Sequence, residues 1–579
     1  MSANQQWHAA DARTALRKVP ILADIDDEQL DRLCAAVERR HVPAGEWLFR
    51  LGDPSDAIFV IDSGRFAAFG ADGSLLREMA SGDSIGDLGL IAGAARSAGV
   101  RAIRDGVVWR IAADVFTAVL EKAPRLQFAM LRAMARMLRE SRSVHGSLRP
   151  RVIGVLATGE VGAGPTVDAL VARLTCYGRV DALAPPPETT APAGGGGAFV
   201  EAFSEVLDRA ERGNDWVLLV ADRGSGEQWR RYVVSQCDRV VVLVDPTRPP
   251  TDLDRPDTGR PIHLITTAEP DPRWWDALHP VSHHPDSDDG IAALARRIAG
   301  RSLGLVLAGG GARGLAHFGV YEELTRAGIA IDRFGGTSAG AIASAAFALG
   351  LPPTEATAAA RKFIAQTSPL SDYTLPAVAL TRGARVDRLL REFFGSALIE
   401  HLPKEFFSVS ADMITGNQIV HRRGPLSTAV RASISIPGLL PPVPRGEQLL
   451  VDGGLLNNLP ADVMCADQDG EVICVDLRRK FVPSNGFGLL PAVLQPPRLV
   501  RHLLTGTDAA VPPLQETLLR AVDLAASRGD LRALPRVAAV IEPDISAIGP
   551  LDFKKIDAAL EAGRAATRAA LEAQPHLVA

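Results

Sequence analysis

The sequence predicts a multidomain α/β chain: an N-terminal antiparallel β-roll, a middle α/β layer domain, and a C-terminal α/β/α domain with a helical extension. Three observations carry that prediction. The first is a series of short strand patterns punctuated by Gly and Asp, HVPAGEWLFRLGD and AIFVIDSGRFAAFGADGSLL, as in a small antiparallel barrel or roll. The second is a set of continuous apolar runs, RVIGVLA, WVLLVAD and RVVVLVD, which fit buried parallel strands. The third is a strand-helix-strand-helix run from Arg301, which makes a parallel sheet.

Residues 15–145 form the first region, with helical DEQLDRLCAAVERR before the strands and AADVFTAVLEKAPRLQFAMLRAMARMLRES after them. Residues 150–300 form the second, where AFVEAFSEVLDRAER is a helix between strands. APPPETTAPAGGGG (184–197) and HPVSHHPDSDDG (279–290) read as surface loops, and the histidines of the latter as solvated rather than metal-binding. In residues 301–480, RSLGLVLAGG is a strand, GLAHFGVYEELTRAG a helix ending at Gly328, IAIDRFGG a strand and AGAIASAAFALG a helix. Residues 481–579 are a helical extension carrying LDFKKIDAALEAGRAATRAALEA.

The 579 residues, 47% hydrophobic and 23% charged, supply several cores. A formal net charge of −5 gives no global sign of nucleic-acid binding. Cys34, Cys176, Cys237, Cys465 and Cys474 are scattered without CxxC spacing and read as reduced core residues, neither a disulfide frame nor a metal site. MSANQQWHAADARTALRK has no apolar run, so the expectation is no secretory signal and a cytoplasmic location. Ala339 to Leu351, the most apolar stretch, falls short of the ~18 residues of a membrane span.

GGGARG (309–314) places G-x-G-x-x-G between a strand and a helix. A dinucleotide fingerprint would want an acid about 20 residues on, and Asp332 is near that position. The next strand, however, runs into G-T-S-A-G, which fits the G-x-S-x-G nucleophile turn. Ser338 is then either a helix N-cap or a nucleophile with its hydroxyl at the carboxyl end of the sheet. In the second case the glycine loop beside it makes an oxyanion hole. Of the candidate bases, His317, His401, His421 and His502 lie in no persuasive loop, and His317 reads as a packing residue. Asp452, in EQLLVDGGLLNNLP, ends an apolar strand before two glycines. A carboxylate within hydrogen-bond reach can take the serine proton directly.

The combination GGGARG, GTSAG and DGG resembles the patatin-like phospholipases, over about 302 to 480. The resemblance implies a Ser–Asp dyad of Ser338 as nucleophile and Asp452 as general base. It implies an oxyanion hole from the N–H groups of Gly310, Gly311 and Ala312, with Arg313 near the substrate phosphate. It implies an acyl pocket shaped by the prolines of RASISIPGLLPPV (431–443), and no metal. SIGDLGLIAGAARSAGVRA (84–102) resembles the phosphate-binding cassette of cyclic nucleotide-binding domains. There Gly86, Asp87 and Leu88 open a short helix, Arg96 supplies the countercharge and Ser97 reaches the base or phosphate; Asp87 stands where that family generally has Glu. A nucleotide module, an α/β middle region and a patatin domain in this order resemble the neuropathy target esterase group. The resemblance implies a serine lipid acyl hydrolase, a lysophospholipase or phospholipase. It would need no cofactor, have cAMP or cGMP as allosteric ligand, and meet its phospholipid or lysophospholipid at a membrane surface as a peripheral protein. The rivals are a nucleotide-responsive regulator using the hydrolase fold as a lipid-binding scaffold, and a NAD-binding oxidoreductase.

Overall fold

A computed structural model describes residues 26–122, 151–477 and 531–574 apart from short stretches within them, and a few residues before 26. The chain divides into two units, Met1–Ala295 and Arg296–Ala579.

The first unit begins with two four-stranded antiparallel sheets. One has the order β1 (Glu38–Val42), β8 (Gly106–Ala112), β3 (Ala57–Ser63), β6 (Ser84–Ile85), and the other β2 (Trp47–Phe49), β7 (Gly99–Ala102), β4 (Phe66–Phe69), β5 (Leu75–Met79). Alternation along β3 sends Phe59 and Ile61 into a core shared with Leu48, Phe66 and Val100 of the other sheet. Ile58 and Val60 face helices α1 (Asp27–Cys34) and α3 (Ala113–Lys122) through Leu30, Leu33 and Phe116. The short helix α2 (Asp87–Ile91) follows β6. This is the expected roll, with one correction: α1 ends at Cys34, and the expected helical residues from Glu38 pair along β8 instead. Cross-strand pairing outweighs helix propensity there. The helix expected after the roll is seen only to Lys122, its remainder lying outside the described residues.

The six-stranded sheet that follows is wholly parallel, in the order β10 (Val180–Leu183), β11 (Trp216–Ala221), β9 (Val152–Ala157), β12 (Arg239–Val244), β13 (Ile262–Thr266), β14 (Ser282–Pro285). The three apolar runs are β9, β11 and β12. Helices α4 (Gly164–Thr175), α5 (Gly196–Gly213), α6 (Glu227–Gln236), α7 (Arg273–Leu278) and α8 (Asp288–Ile298) connect and follow the strands. Residues 279–290, expected as a solvated loop, instead contain β14 and the start of α8. The Ser282 hydroxyl lies 2.7 Å from His263 Nδ1 and 2.8 Å from His284 Nε2. These polar side chains find partners on the sheet itself, so the segment is strand despite its composition. The 184–197 loop lies mostly outside the described residues. Roll and sheet are joined by Arg104, whose buried guanidinium forks onto Asp238 at 2.7 and 2.6 Å and reaches Glu211 at 3.0 Å.

The second unit is built on an eight-stranded mixed sheet. Its order is β19 (Val443–Arg445), β20 (Gln448–Asp452), β17 (Glu405–Asp412), β16 (Arg333–Thr337), β15 (Gly304–Leu307), β21 (Val472–Val475), β22 (Val537–Ile541), with β18 (Gln418–His421) also on β17. Leu305, Phe334, Phe406 and Ile473 point to one core, and Val306, Phe407 and Cys474 to the other. Helices α9 (Ala316–Arg326), α10 (Ala339–Ala348), α11 (Pro353–Ala365), α12 (Ala384–Phe394), α13 (Leu426–Ser433), α14 (Ala461–Ala466) and α15 (Ile556–Ala573) accompany it. The C-terminal extension is not only helical: it returns to the sheet edge as β22 before α15 packs on α9. That crossing is backbone-close, since a Cβ on Gly319 would collide with the Leu560 carbonyl and one on Gly563 with the Ala316 carbonyl.

Candidate active site

Ser338 stands between β16 and α10 with φ 56° and ψ −123°. A non-glycine residue held there carries about 1–3 kcal/mol of backbone strain. It occupies the N-cap position, yet its side chain makes no capping hydrogen bond. Capping therefore does not explain the serine. The tight turn explains its small neighbours: a Cβ at Gly340 would collide with the Leu307 carbonyl, and one at Gly336 would meet the Gly340 backbone. The Ser338 N–H donates to Ser433 Oγ at 3.0 Å, and that hydroxyl donates to the Val409 carbonyl at 2.6 Å.

Strand register brings Asp452 to the same place. β17 pairs with β16 over residues 405–409, with β20 over 410–412 and with β18 over 408–411. A strand has only two edges. With β18 along one, β16 and β20 share the other end to end, from opposite directions. Thr337 and Asp452 thus stand opposite consecutive residues, Val409 and Ser410. The strand that delivers Ser338 ends where the strand that delivers Asp452 ends. Asp452 is fully buried, with Oδ1 accepting the Gly454 N–H at 2.8 Å and its own N–H donating to the Ser435 carbonyl at 2.9 Å. Gly453 packs so closely on the Val409 carbonyl that a Cβ would collide with it.

The glycine loop lies against this pair. A Cβ on Gly309 would be 3.0 Å from that of Ser338. Gly309 is held by Asn458, whose carbonyl accepts the Gly309 N–H at 3.1 Å and whose Nδ2 donates to the Gly309 carbonyl at 3.3 Å. His317 Nε2 donates to the Ala308 carbonyl at 2.8 Å. Burial pushes its imidazole down to about 4, so it is neutral. His421 sits between Ser410 Oγ at 2.7 Å and Arg445 at 3.0 Å. Burial first and Arg445 second push it down to about 4. Both imidazoles serve the scaffold. His502 lies outside the described residues.

Two expectations for the loop need correction. The Ala312 N–H donates to the Pro550 carbonyl at 2.8 Å, so it is already engaged within the protein. Arg313 is buried and its Nε donates to the Ile548 carbonyl at 3.2 Å. The guanidinium fastens the C-terminal segment and is not presented to a substrate phosphate. Sequence reasoning also missed Ser433 and Asn458. The first lies in RASISIPG, where attention went to the prolines, and the only signal for the second is the Asn pair after DGGLL.

An apolar cavity of about 620 Å³, including its open mouth, is lined in part by Gly311 of the glycine loop and by Ala339, the residue after Ser338; neither Ser338 nor Asp452 lines it. Ala339, Ile342 and Ala346, one stripe of α10, line it together with Phe393 and Phe394 of α12 and with Phe553. No residue of 431–443 lines it, so the proline-rich segment does not form this pocket.

In the first unit, Gly86 (φ 87°) leads into α2 beside Arg96. The Arg96 guanidinium donates to the carbonyls of Gly86 at 2.9 Å and Ala57 at 2.7 Å and stacks 4.1 Å from the Phe49 ring centre. It is turned into the roll rather than outward as a ready countercharge. Asp87 accepts from Ser84 Oγ at 3.1 Å, and Ser97 is exposed. Leu88 is in the first turn of α2. Among the described residues no group of His, Cys, Asp and Glu is placed to hold a metal ion, and no helix is long and apolar enough to cross a membrane.

Comparison with known proteins matches residues 305–464 to the patatin-like phospholipase family and residues 39–123 to the cyclic nucleotide-binding domain family. Lysophospholipase NTE1 of Cryptococcus neoformans is 28% identical over 76% of this chain, which spans 33% of that larger protein. The regulatory domain of Toxoplasma gondii PKA with cAMP aligns with 21% of this chain and 46% of its own, at 23% identity and a TM-score of 0.19. An NTE family protein of Mycobacterium tuberculosis is 71% identical over 98% of both chains. With that identity along nearly its whole length, the chain belongs to the NTE family.

Proposed function

We propose that the chain is a serine lipid acyl hydrolase, and specifically a lysophospholipase, working through a Ser338–Asp452 dyad. The observation that carries this reading is the meeting of β16 and β20 on one edge of β17, which delivers an uncapped, strained serine beside a buried carboxylate. Ser338 Oγ attacks the ester carbonyl while Asp452 accepts its proton. The N–H groups of Gly310 and Gly311 hold the oxyanion, and the acyl chain enters the apolar cavity along α10. The deacylated glycerophospho-alcohol leaves with the proton from Asp452. Water, deprotonated by Asp452, then releases the fatty acid and restores Ser338. The contact of Gly309 with Ser338 favours an oxyanion loop over a dinucleotide site.

The test is fatty acid release from lysophosphatidylcholine by wild type, Ser338→Ala and Asp452→Asn. Both variants are expected to lose about 10³-fold or more. A wild type inert on lysolipids, phospholipids and simple esters refutes the reading and leaves the lipid-binding scaffold. For the first unit we propose cAMP or cGMP as a regulatory ligand of the Gly86–Ser97 cassette, with Arg96 exchanging its two carbonyls for the cyclic phosphate. A nucleotide effect on hydrolysis that survives Arg96→Ala would sink this proposal.

A further inference from the structure

The hydrolase unit exposes six large apolar side chains among the described residues: Tyr373, Leu375, Val378, Met413, Ile414 and Leu456. Leu375 is 87% exposed, Val378 70% and Ile414 65%. Single exposed hydrophobics are ordinary, but a contiguous group marks an interaction surface. All six belong to the end of the sheet where Ser338 lies. Met413 and Ile414 follow the last residue of β17, just beyond the level at which β16 gives way to Ser338. Leu456 comes four residues after Asp452. The loop bearing Tyr373, Leu375 and Val378 is fastened to the turn after Ser433: Leu380 donates to the Gly438 carbonyl at 2.8 Å and packs with Ile436, Leu439 and Leu455.

Charge beside this group selects its occupant. Arg382, Arg385, Arg388 and Arg391 follow the apolar loop directly, spaced by three into α12, and all are exposed. Asp387 of the same helix is engaged with Arg431 at 2.5 Å. Apolar tips flanked by arginines are the pattern of a protein that sits in the headgroup region, with aliphatic side chains in the acyl boundary and guanidinium groups on lipid phosphates.

We propose that this end of the hydrolase unit docks on a phospholipid surface, with Leu375, Val378 and Ile414 entering it and the α12 arginines meeting its phosphates. The proposal rests on the lipid-hydrolase reading and gives it a geometry: Ser338 opens toward the layer that supplies its substrate.

The experiment is co-sedimentation of the full chain, made inactive by Ser338→Ala, with vesicles of phosphatidylcholine alone or mixed with phosphatidylglycerol. Leu375→Asp/Val378→Asp is expected to lower binding about tenfold or more on both vesicles, and Ile414→Asp less. Arg385→Glu/Arg388→Glu is expected to lower it only on the anionic ones. Leu375→Ser/Val378→Ser serves if the aspartates disturb folding, which a melting curve reads. Parent protein that ignores both vesicles, or variants that bind as the parent does, overturns the proposal. So does loss of an oligomer in gel filtration with vesicle binding unchanged, which would make the face a contact between copies. Hydrolysis of water-soluble p-nitrophenyl butyrate by active protein reads the dyad separately. If that fails while the variants still lose vesicle binding, the dyad falls and the docking stands.

Discussion

Acid should loosen the hydrolase unit through two buried imidazoles, and His317 is the informative one. Its side chain is fully buried at the start of α9, with Nε2 donating to the carbonyl that precedes the glycine loop. Nδ1 meets no acceptor among the described residues. Burial therefore lowers its pKa from 6.5 to about 4. The unfolded chain takes up the proton first as the pH falls. The neutral imidazole's contribution is thus complete above 6.5 and is lost on the way down to about 4. At ~1.4 kcal/mol per pH unit this amounts to about 3 kcal/mol. His421, also lowered to about 4, adds a similar loss over the same window. Against a total of roughly 5–15 kcal/mol for a domain, the sum is large. His317→Gln keeps an amide N–H for the Ala308 carbonyl and cannot titrate, so it should remove about half of the slope. Calorimetric melting at a series of pH values checks this. All seven tryptophans, from Trp7 to Trp275, lie in the first unit, so the transition without a fluorescence change is that of the hydrolase unit. A slope as steep in His317→Gln as in wild type would refute the assignment.

Three more outcomes are expected. Ser338→Gly should abolish hydrolysis yet raise the melting temperature, because glycine accepts the φ of 56° that costs serine about 1–3 kcal/mol; a lower melting temperature would contradict the strain. Ile342→Phe should fill the cavity along α10 and shift kcat/KM from palmitoyl toward butyryl p-nitrophenyl esters by about tenfold or more, and an unchanged ratio would mean that the chain binds elsewhere. Arg104→Ala removes the shared partner of the half-buried Asp238 and Glu211, leaving Glu211 to Arg65 at 3.6 Å and Asp238 to two backbone N–H groups, and should destabilise the first unit by about 1–3 kcal/mol, read by tryptophan fluorescence in urea. Asp238, now lowered to about 2 chiefly by Arg104 against the cost of its burial, adds stability above its unfolded value that is lost as pH falls toward about 2. In Arg104→Ala that acid limb should flatten.

Local pattern made much of this legible. The roll, the three apolar strands and the G-x-S-x-G turn each show within a dozen residues, because period, turn residues and small neighbours are local constraints. What was not legible is long-range. Asn458 holds Gly309 across 149 residues of sequence, and Arg313 holds Ile548 across 235. β14 escaped notice because its polar residues satisfy one another across the sheet, which composition cannot show. The direction of two arginines was equally out of reach. Sequence reveals a guanidinium beside a loop but not its direction, and both Arg96 and Arg313 turn inward onto carbonyls.

The direction of Arg313 changes where the hydrolase ends. The patatin-like match stops at residue 464, yet the Pro550 carbonyl holds Ala312 and Ile548 holds Arg313, both within the glycine loop. Phe553 lines the same cavity as Gly311, β22 covers the edge of β21, and α15 lies on α9 so closely that glycines are required on both helices. Gly311 itself takes φ 59° and would collide with the Pro550 carbonyl if it bore a Cβ. The C-terminal segment alone therefore requires a glycine at this position. An amide loop can stabilise charge only if it is already in position when the charge develops. In this chain the groups that hold the loop arrive more than two hundred residues later, so on the proposed reading the C-terminal segment belongs to the site.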